Sequence, residues 1–376
     1  MTTSSFPPHL KCVAIGGGTG LSTLLKGLKH YVLSDGEQAA TRSHMLDSLT
    51  AVVTVTDDGG SSGRLREEFQ ILPPGDIRNC LVALSEDEYL LSQLFQYRFP
   101  GEGTIRGHSF GNLFLTALTG VTGDFVKAVK LTSEVLAIRG NIVPSTTADV
   151  ALVAELEDGR IIHGESKITA AGGRVRHIRL EPETCQPLPE TLDAIRAADI
   201  ITLGPGSLFT SIIPNLLVHG VSEAIAQSKA LKVYISNIMT QPGETDHFSV
   251  SNHIEWLLRY IPAGSLDVVL VNNTLVSPDV VAKYREEGAQ PIYLRMASEL
   301  RNGRPGPALL SVAGSETTST SITVCGKRIP VLASDLLEQS ELARHCPTKL
   351  AQAVFTVYQQ AVSQRRKART LKVKQA

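Results

Sequence analysis

Two adjacent aspartates, Asp57 and Asp58, open a glycine- and serine-rich run, Gly59-Gly60-Ser61-Ser62-Gly63-Arg64, directly after the β-branched stretch Val52-Val53-Thr54-Val55-Thr56. Carboxylates at the carboxyl end of a strand suit Mg²⁺, which is commonly held by one or two carboxylates together with phosphate and water. Asp57 is equally suited to act as a base that takes a proton from an acceptor hydroxyl. The structural alternative is Asx-turn capping of the glycine bend. Because successive strand residues point to opposite faces, only one of the pair is expected to enter a site directly.

Two further glycine loops have the same form. Cys12-Val13-Ala14-Ile15 runs into Gly16-Gly17-Gly18-Thr19-Gly20, and Ile200-Ile201-Thr202-Leu203 runs into Gly204-Pro205-Gly206-Ser207. In an open α/β sheet such loops lie at the carboxyl ends of the strands, where ligands bind at a topological switch point. Glycine lets backbone amides approach an anion, and the helix that follows points its positive end there. Three such loops predict a phosphate-rich ligand, a nucleotide. Around them lie Arg64, Asp76, Arg78 and Asn79, with Asp76 expected to N-cap the helix that follows it. His108 and Asn112 flank Ser109-Phe110-Gly111, and Asn237 and Thr240 follow the run Val233 to Ser236, suited to reading a base or sugar.

Neither familiar phosphate fingerprint is intact. G-x-G-x-x-G begun at Gly16 meets Leu21, and begun at Gly18 it meets Thr23; no G-x-x-x-x-G-K-[ST] occurs. An NAD(P)-dependent oxidoreductase and a P-loop hydrolase are therefore disfavoured. With 36 Lys plus Arg against 37 Asp plus Glu, no global field draws the chain to nucleic acid or membrane. Five cysteines without a C-x-x-C spacing suggest reduced thiols rather than a zinc or disulfide framework. No apolar run reaches the length of a membrane span, so a cytoplasmic protein is expected.

The elements that position these groups alternate as in βαβ units, predicting an α/β fold with a mainly parallel, Rossmann-like sheet and helices on both faces. Helices are expected over residues 21–33, 77–84, 88–97, 113–118, 125–138, 208–228, 248–260 and 278–287. Beyond the first two loops, strands are expected over 199–203, 231–236, 266–272 and 291–294. Residues 144–189 alternate apolar with polar and contain the hairpin signal Asp158-Gly159 and a second turn at Gly172-Gly173, predicting an antiparallel β insertion. We expect a short lead over residues 1–10, one domain over 11–347 with a loop excursion of low order at 299–323, and a terminal helix over 348–376. The basic end of that segment, Arg365 to Lys374, reads as a solvated tail.

The segments Val13 to Leu25, Val52 to Asn79, His108 to Leu113, Ile201 to Ile213 and Ile235 to Thr245 resemble the CofD/YvcK family: its bacterial gluconeogenesis-factor branch and, more distantly, its 2-phospho-L-lactate transferases. The resemblance implies a UDP-sugar ligand such as UDP-N-acetylglucosamine and a regulatory role in cell shape and wall-precursor balance on gluconeogenic carbon sources, without turnover. The transferase alternative implies a Mg²⁺-dependent enzyme that uses a nucleoside-diphosphate-linked donor. Carried over residue by residue, Gly17, Gly18, Thr19 and Gly20 with Gly204, Pro205, Gly206 and Ser207 would cradle the diphosphate, with Asn237 and Thr240 near the nucleoside. Asp57 would be the metal or acceptor-site aspartate. Asp58, Arg64, Arg78, His108, Asn112, Tyr284 and Arg344 are the expected sugar or nucleotide contacts. A homo-oligomer is expected.

Overall fold

The computed structural model describes residues 9–33, 45–86, 89–262, 264–294, 318–338 and 340–375. The first half of the chain runs β1 (Leu10–Gly16), α1 (Gly18–Leu28), β2 (Leu46–Val53), α2 (Gly60–Phe69), α3 (Gly75–Leu84), α4 (Leu90–Gln96), α5 (Phe110–Thr122), α6 (Phe125–Val135) and β3 (Asn141–Pro144). An insertion follows, made of β4 (Ala151–Leu156), β5 (Ile161–His163), α7 (Glu165–Ala171) and β6 (Val175–Glu181). The second half runs α8 (Pro189–Ala197), β7 (Ile200–Leu203), a π turn (Leu208–Ile212), α9 (Ile213–Leu217), α10 (Val221–Gln227), β8 (Leu231–Ile235), α11 (Val250–Leu257), β9 (Val268–Asn272) and α12 (Pro278–Glu286). It closes with the hairpin β10 (Thr318–Val324) and β11 (Lys327–Ser334) and the long helix α13 (Pro347–Gln375).

Among the described residues, eight strands form one sheet in the order β10-β11-β9-β8-β7-β1-β2-β3, and only the β10–β11 pair is antiparallel. Taken in chain order, the parallel strands β3, β2, β1, β7, β8 and β9 follow the doubly wound 3-2-1-4-5-6 arrangement, so the strand order reverses between β1 and β7. The central strands are buried on both faces, as their continuous Val, Ile and Leu content requires. Helix α1 turns Leu21, Leu24, Leu25 and Leu28 into this core, each contributing roughly 1.5–3 kcal/mol of burial. Gly27 lies against the Pro347 carbonyl, where α13 docks.

The expected α/β architecture and antiparallel insertion are present, with local corrections. Asp158-Gly159 does join two antiparallel strands, β4 and β5, but Gly172-Gly173 ends the helix α7 instead of forming a hairpin. Strand β2 begins at Leu46 and ends at Val53, so the aspartate pair lies on a loop beyond it. The run from Gly60 to Arg64, read as a loop, opens the helix α2. Helix 208–228 is broken into the π turn, α9 and α10. Residues 291–294 form no strand, only a bridge between Pro291 and Met239. Of the 299–323 excursion, residues 299–317 lie outside the described residues, and Thr318–Val324 is a strand, not a loop. The basic end continues α13 to Gln375 instead of trailing from it. Among the described residues no single helix is long and apolar enough to cross a membrane.

Candidate functional site

The loops after β1 and β7 meet at the switch point in close backbone contact. A Cβ on Gly20 would run into the Pro205 carbonyl and the Gly206 Cα, and one on Gly17 would lie 2.5 Å from the Asp76 carboxylate and 2.7 Å from the Thr54 methyl. Gly18 adopts φ +59°, a left-handed conformation that favours glycine. These glycines therefore serve loop-to-loop packing as well as any ligand. Thr19 is exposed on the first turn of α1, its carbonyl accepting the Ser22 and Thr23 hydroxyls.

Several groups that the sequence assigned to ligand are engaged by the chain itself. The Asp76 carboxylate lies against Gly17 and Gly18, and the Gly18 amide lowers its pKa, so Asp76 reaches across to α1 and does not cap α3, whose N-cap is Pro74. The Gly206 N–H donates to Asn237 Oδ1 at 3.1 Å, and Asn237 Nδ2 donates to the Gly206 carbonyl at 2.8 Å. Ser207 caps the π turn by accepting the Thr210 N–H and donates its hydroxyl to the Glu244 carboxylate. Thr240 clamps Gln290: its N–H donates to the Gln290 carbonyl at 2.8 Å, and its hydroxyl accepts the Gln290 N–H at 2.9 Å. Asp58 accepts the Ser166 N–H at 2.8 Å at the start of α7, which ties the insertion to the core. Arg64 donates to the Arg106 carbonyl at 2.7 Å.

Asp57, Arg78 and Asn112, together with Gly59, Gly60, Ser61, Ser62, Gly75, Asp76, Asn79 and Arg98, line one cleft of ≈ 320 Å³. Asp57 Oδ1 accepts the Gly59 N–H at 2.9 Å, the Asx turn anticipated from the sequence, and its other oxygen lies where a Cβ on Gly75 would sit. The far wall is a hydrogen-bonded network. Arg78 Nη1 donates to Ser109 Oγ at 2.5 Å and to Asn112 Oδ1 at 3.1 Å; Asn112 Nδ2 donates to Ser61 Oγ at 3.0 Å. Ser61 in turn lies 2.9 Å from His108 Nδ1. The direction of the Ser61–His108 bond follows the imidazole tautomer, since the serine oxygen can accept from Asn112 and still either donate to Nδ1 or accept from it. Burial and the Arg64 charge lower the His108 pKa, which favours the neutral imidazole. His108 thus acts behind Ser61 and Asn112.

Buried carboxylates follow one another from the cleft, Asp76 acting on Glu165 and Glu244 in turn acting on Glu165. Burial, then the Asp57 charge, pushes Asp76 up to about 7, against partial relief from the Gly18 amide and Arg78. Glu165, the first residue of α7, accepts the Thr56 hydroxyl at 3.0 Å, and burial followed by Asp76 and Asp57 raises its pKa well above the usual range. Glu244, bonded by Ser207 and Thr169, is raised by burial. Arg98, Glu165 and Glu244 were not anticipated and carry no local signal; Asp76 was expected in this region, with helix capping as its alternative role.

Tyr284 and Arg344 lie elsewhere. Tyr284 packs on a satellite cluster of Ile238, Met239, Val276 and Leu337, which Ala343, next to the exposed Arg344, also joins. The loop bearing Asn237 and Thr240 runs into this cluster at Ile238 and Met239. Of the expected residues, Asp57, Arg78 and Asn112 line the α2 cleft, and Tyr284 and Arg344 belong to or adjoin this second group.

Residues 12–303 match the family described as 2-phospho-L-lactate transferase CofD. The chain is 49% identical over 282 residues to the gluconeogenesis factor of Bacillus subtilis, covering 75% of this chain and 84% of that protein. It is 44% identical over 343 residues to the gluconeogenesis factor of Halalkalibacterium halodurans, covering 91% and 95%. The crystal structure of a UPF0052 family member from Bacillus halodurans superposes with TM-score 0.78 at 42% identity, covering 93% of this chain and 100% of that one.

Proposed function

The chain belongs to the CofD family, and from that premise we propose that it is a cytoplasmic nucleotide-sugar-binding regulator, taking a UDP-sugar such as UDP-N-acetylglucosamine at the carboxyl edge of its sheet. Its role is that of a gluconeogenesis factor, matching wall-precursor supply and cell shape to growth on gluconeogenic carbon sources. The observation that carries this reading is the cleft beside the switch point. Its wall of α2 amides, Arg78, Arg98, Asn79 and Asn112 suits a phosphate, and its facing carboxylates suit sugar hydroxyls. At ≈ 320 Å³ the cleft has the scale of a site for part of a small ligand. The satellite group around Tyr284 and Arg344 is then the place for the remaining, nucleoside end.

A thermal-shift screen against UDP-sugars, GDP, GTP and NAD, with and without Mg²⁺, tests the reading. UDP-sugars should raise the melting temperature more than the other ligands, and a larger response to NAD or GTP would reject it.

One observation favours a second reading, a Mg²⁺-dependent transferase. Asp57 and Asp76 face one cleft closely enough for the Asp57 charge to raise the Asp76 pKa. Two carboxylates in such proximity fit Mg²⁺ when phosphate oxygens complete its shell. Among the described residues no group of three or more His, Cys, Asp or Glu is arranged to hold a metal by itself. When bound, the cation would neutralise phosphate charge, while Asp57 would take the proton of an acceptor hydroxyl and Arg78 and Arg98 would hold the phosphoryl oxygens.

A further inference from the structure

Arg78 is 8% exposed, and among the described residues its hydrogen bonds go to neutral oxygens: Ser109 Oγ, Asn112 Oδ1 and Asn79 Oδ1. Its Nε–H is buried without a partner. Asp57 and Asp76 act on its charge from the cleft they share with it, yet among the described residues neither accepts a hydrogen bond from it. The ten-residue helix α2 begins beside it at Gly59, whose position provides no side-chain cap, and Gly60, Ser61 and Ser62 line the same cleft with amides of its first turn. Such amides have no carbonyl within the helix to bond. Arg98 completes the wall. By contrast, in the loops expected to cradle phosphate, the Gly18 amide already acts on Asp76 and the Gly206 amide already donates to Asn237.

We propose that the α2 cleft is a phosphoryl subsite for a sugar phosphate, with the anion on the α2 amides, Arg78 and Arg98 and the sugar hydroxyls donating to Asp57 and Asp76. The buried guanidinium supplies a charge, and the first-turn amides of α2, next to the Gly59 N–H that Asp57 already accepts, supply oriented donors to the same anion site. The facing carboxylates repel a second anion and accept hydrogen bonds, so the group attached to the phosphoryl carries hydroxyls. This deepens the nucleotide-sugar reading of the same cleft by stating which end of the ligand it takes, and it rests on that reading only for the nucleoside end.

The test is calorimetric titration of the full chain with N-acetylglucosamine 1-phosphate, with free N-acetylglucosamine as control. Replacing Arg78 would also unmake the Ser109 and Asn112 bonds, so two variants away from that network carry the test. Gly60→Asp introduces a carboxylate at the helix terminus, in open space and at φ +45°, a conformation aspartate tolerates. Arg98→Ala removes an exposed cation together with its 2.8 Å bond to the Gly107 carbonyl, and leaves the Arg78 bonds to Ser109 and Asn112 in place. The sugar phosphate should bind the parent at least tenfold more tightly than the free sugar, and each variant should weaken it about tenfold or more while the melting temperature stays within a few degrees. Equal affinity for sugar phosphate and free sugar, or unchanged binding in both variants, overturns the subsite. If UDP-N-acetylglucosamine binds parent and Gly60→Asp alike while the sugar phosphate does not bind, the subsite fails and the nucleotide-sugar reading stands. Binding of the sugar phosphate as predicted, with no added affinity from the UDP group, upholds the subsite and removes that reading.

Discussion

Asn237 holds Gly206 from both sides, accepting its N–H at 3.1 Å and donating to its carbonyl at 2.8 Å. Both backbone groups of Gly206, at φ +152°, are thus held by one side chain from the loop after β8. Asn237→Ala should therefore loosen the loop after β7 and destabilise the protein by about 1–3 kcal/mol, since two partly buried backbone groups lose their partner. Urea denaturation measures this; a change under about 0.5 kcal/mol would remove Asn237 as a brace.

Gly20 faces the Pro205 carbonyl too closely for any Cβ, whereas Gly120, exposed on α5, has nothing within 4 Å. Gly20→Ala should cost about 1–3 kcal/mol by overpacking. Gly120→Ala should stabilise by roughly 0.4–1 kcal/mol through the unfolded chain. Parallel melts of the two variants check the contrast, and equal effects would show that the loops after β1 and β7 are not in contact as described.

Asp58 contributes to the attachment of α7 more than to the cleft. Asp58→Ala should cost about 1 kcal/mol, as loss of a helix cap does, and should speed hydrogen exchange at Ser166. Ligand affinity should change by less than about threefold. A variant that exchanges normally but loses ligand would place Asp58 in the site after all.

The pH dependence follows from Asp76, whose folded pKa is raised from 3.8 to about 7. Between those values the folded protein keeps a proton that the unfolded chain has released, so this contribution is complete below the unfolded value and is lost as pH rises through about 7. Asp76→Asn stays neutral and can still accept the Gly18 N–H. Its stability relative to the parent should grow between pH 5 and 8, by on the order of 2 kcal/mol. Glu165 and Glu244, also raised, leave a smaller slope of the same sign in the variant. His345, buried and lowered to about 4, adds a slope of opposite sign below its ordinary value in both proteins, so it cancels from the difference. Chemical denaturation across that range decides; parallel curves would show that Asp76 titrates normally.

The parallel half of the fold was legible because strands buried on both faces spell themselves as runs such as Ile200-Ile201-Thr202-Leu203 ended by glycine. Helix α2 was not, since Gly60-Ser61-Ser62-Gly63 is a weak helix former; its place is set by packing, with Ser61 and Ser62 buried and Gly63 pressed on the Asp58 carbonyl. The β10–β11 hairpin was hidden for a related reason. Its second strand gains its place from parallel pairing with β9, far away in sequence. Within the site, Asp57, Arg78 and Asn112, each singled out by residue type, line one cleft. Residue type could not show that Asn237 and Asp58 spend their side chains on Gly206 and Ser166, or that Glu165 returns from the insertion to Thr56. Those pairings join residues from different loops, and no local pattern encodes them.

The most direct test of the central claim is isothermal titration of the protein with UDP-N-acetylglucosamine, run with and without Mg²⁺, together with ³¹P spectroscopy of the mixture. The account predicts saturable binding, intact ligand after prolonged incubation, and affinity changed less than about tenfold by Asp57→Asn, because the α2, Arg78 and Arg98 contacts remain. No heat of binding, or a new phosphorus product formed with Mg²⁺ by the parent and not by Asp57→Asn, would contradict it.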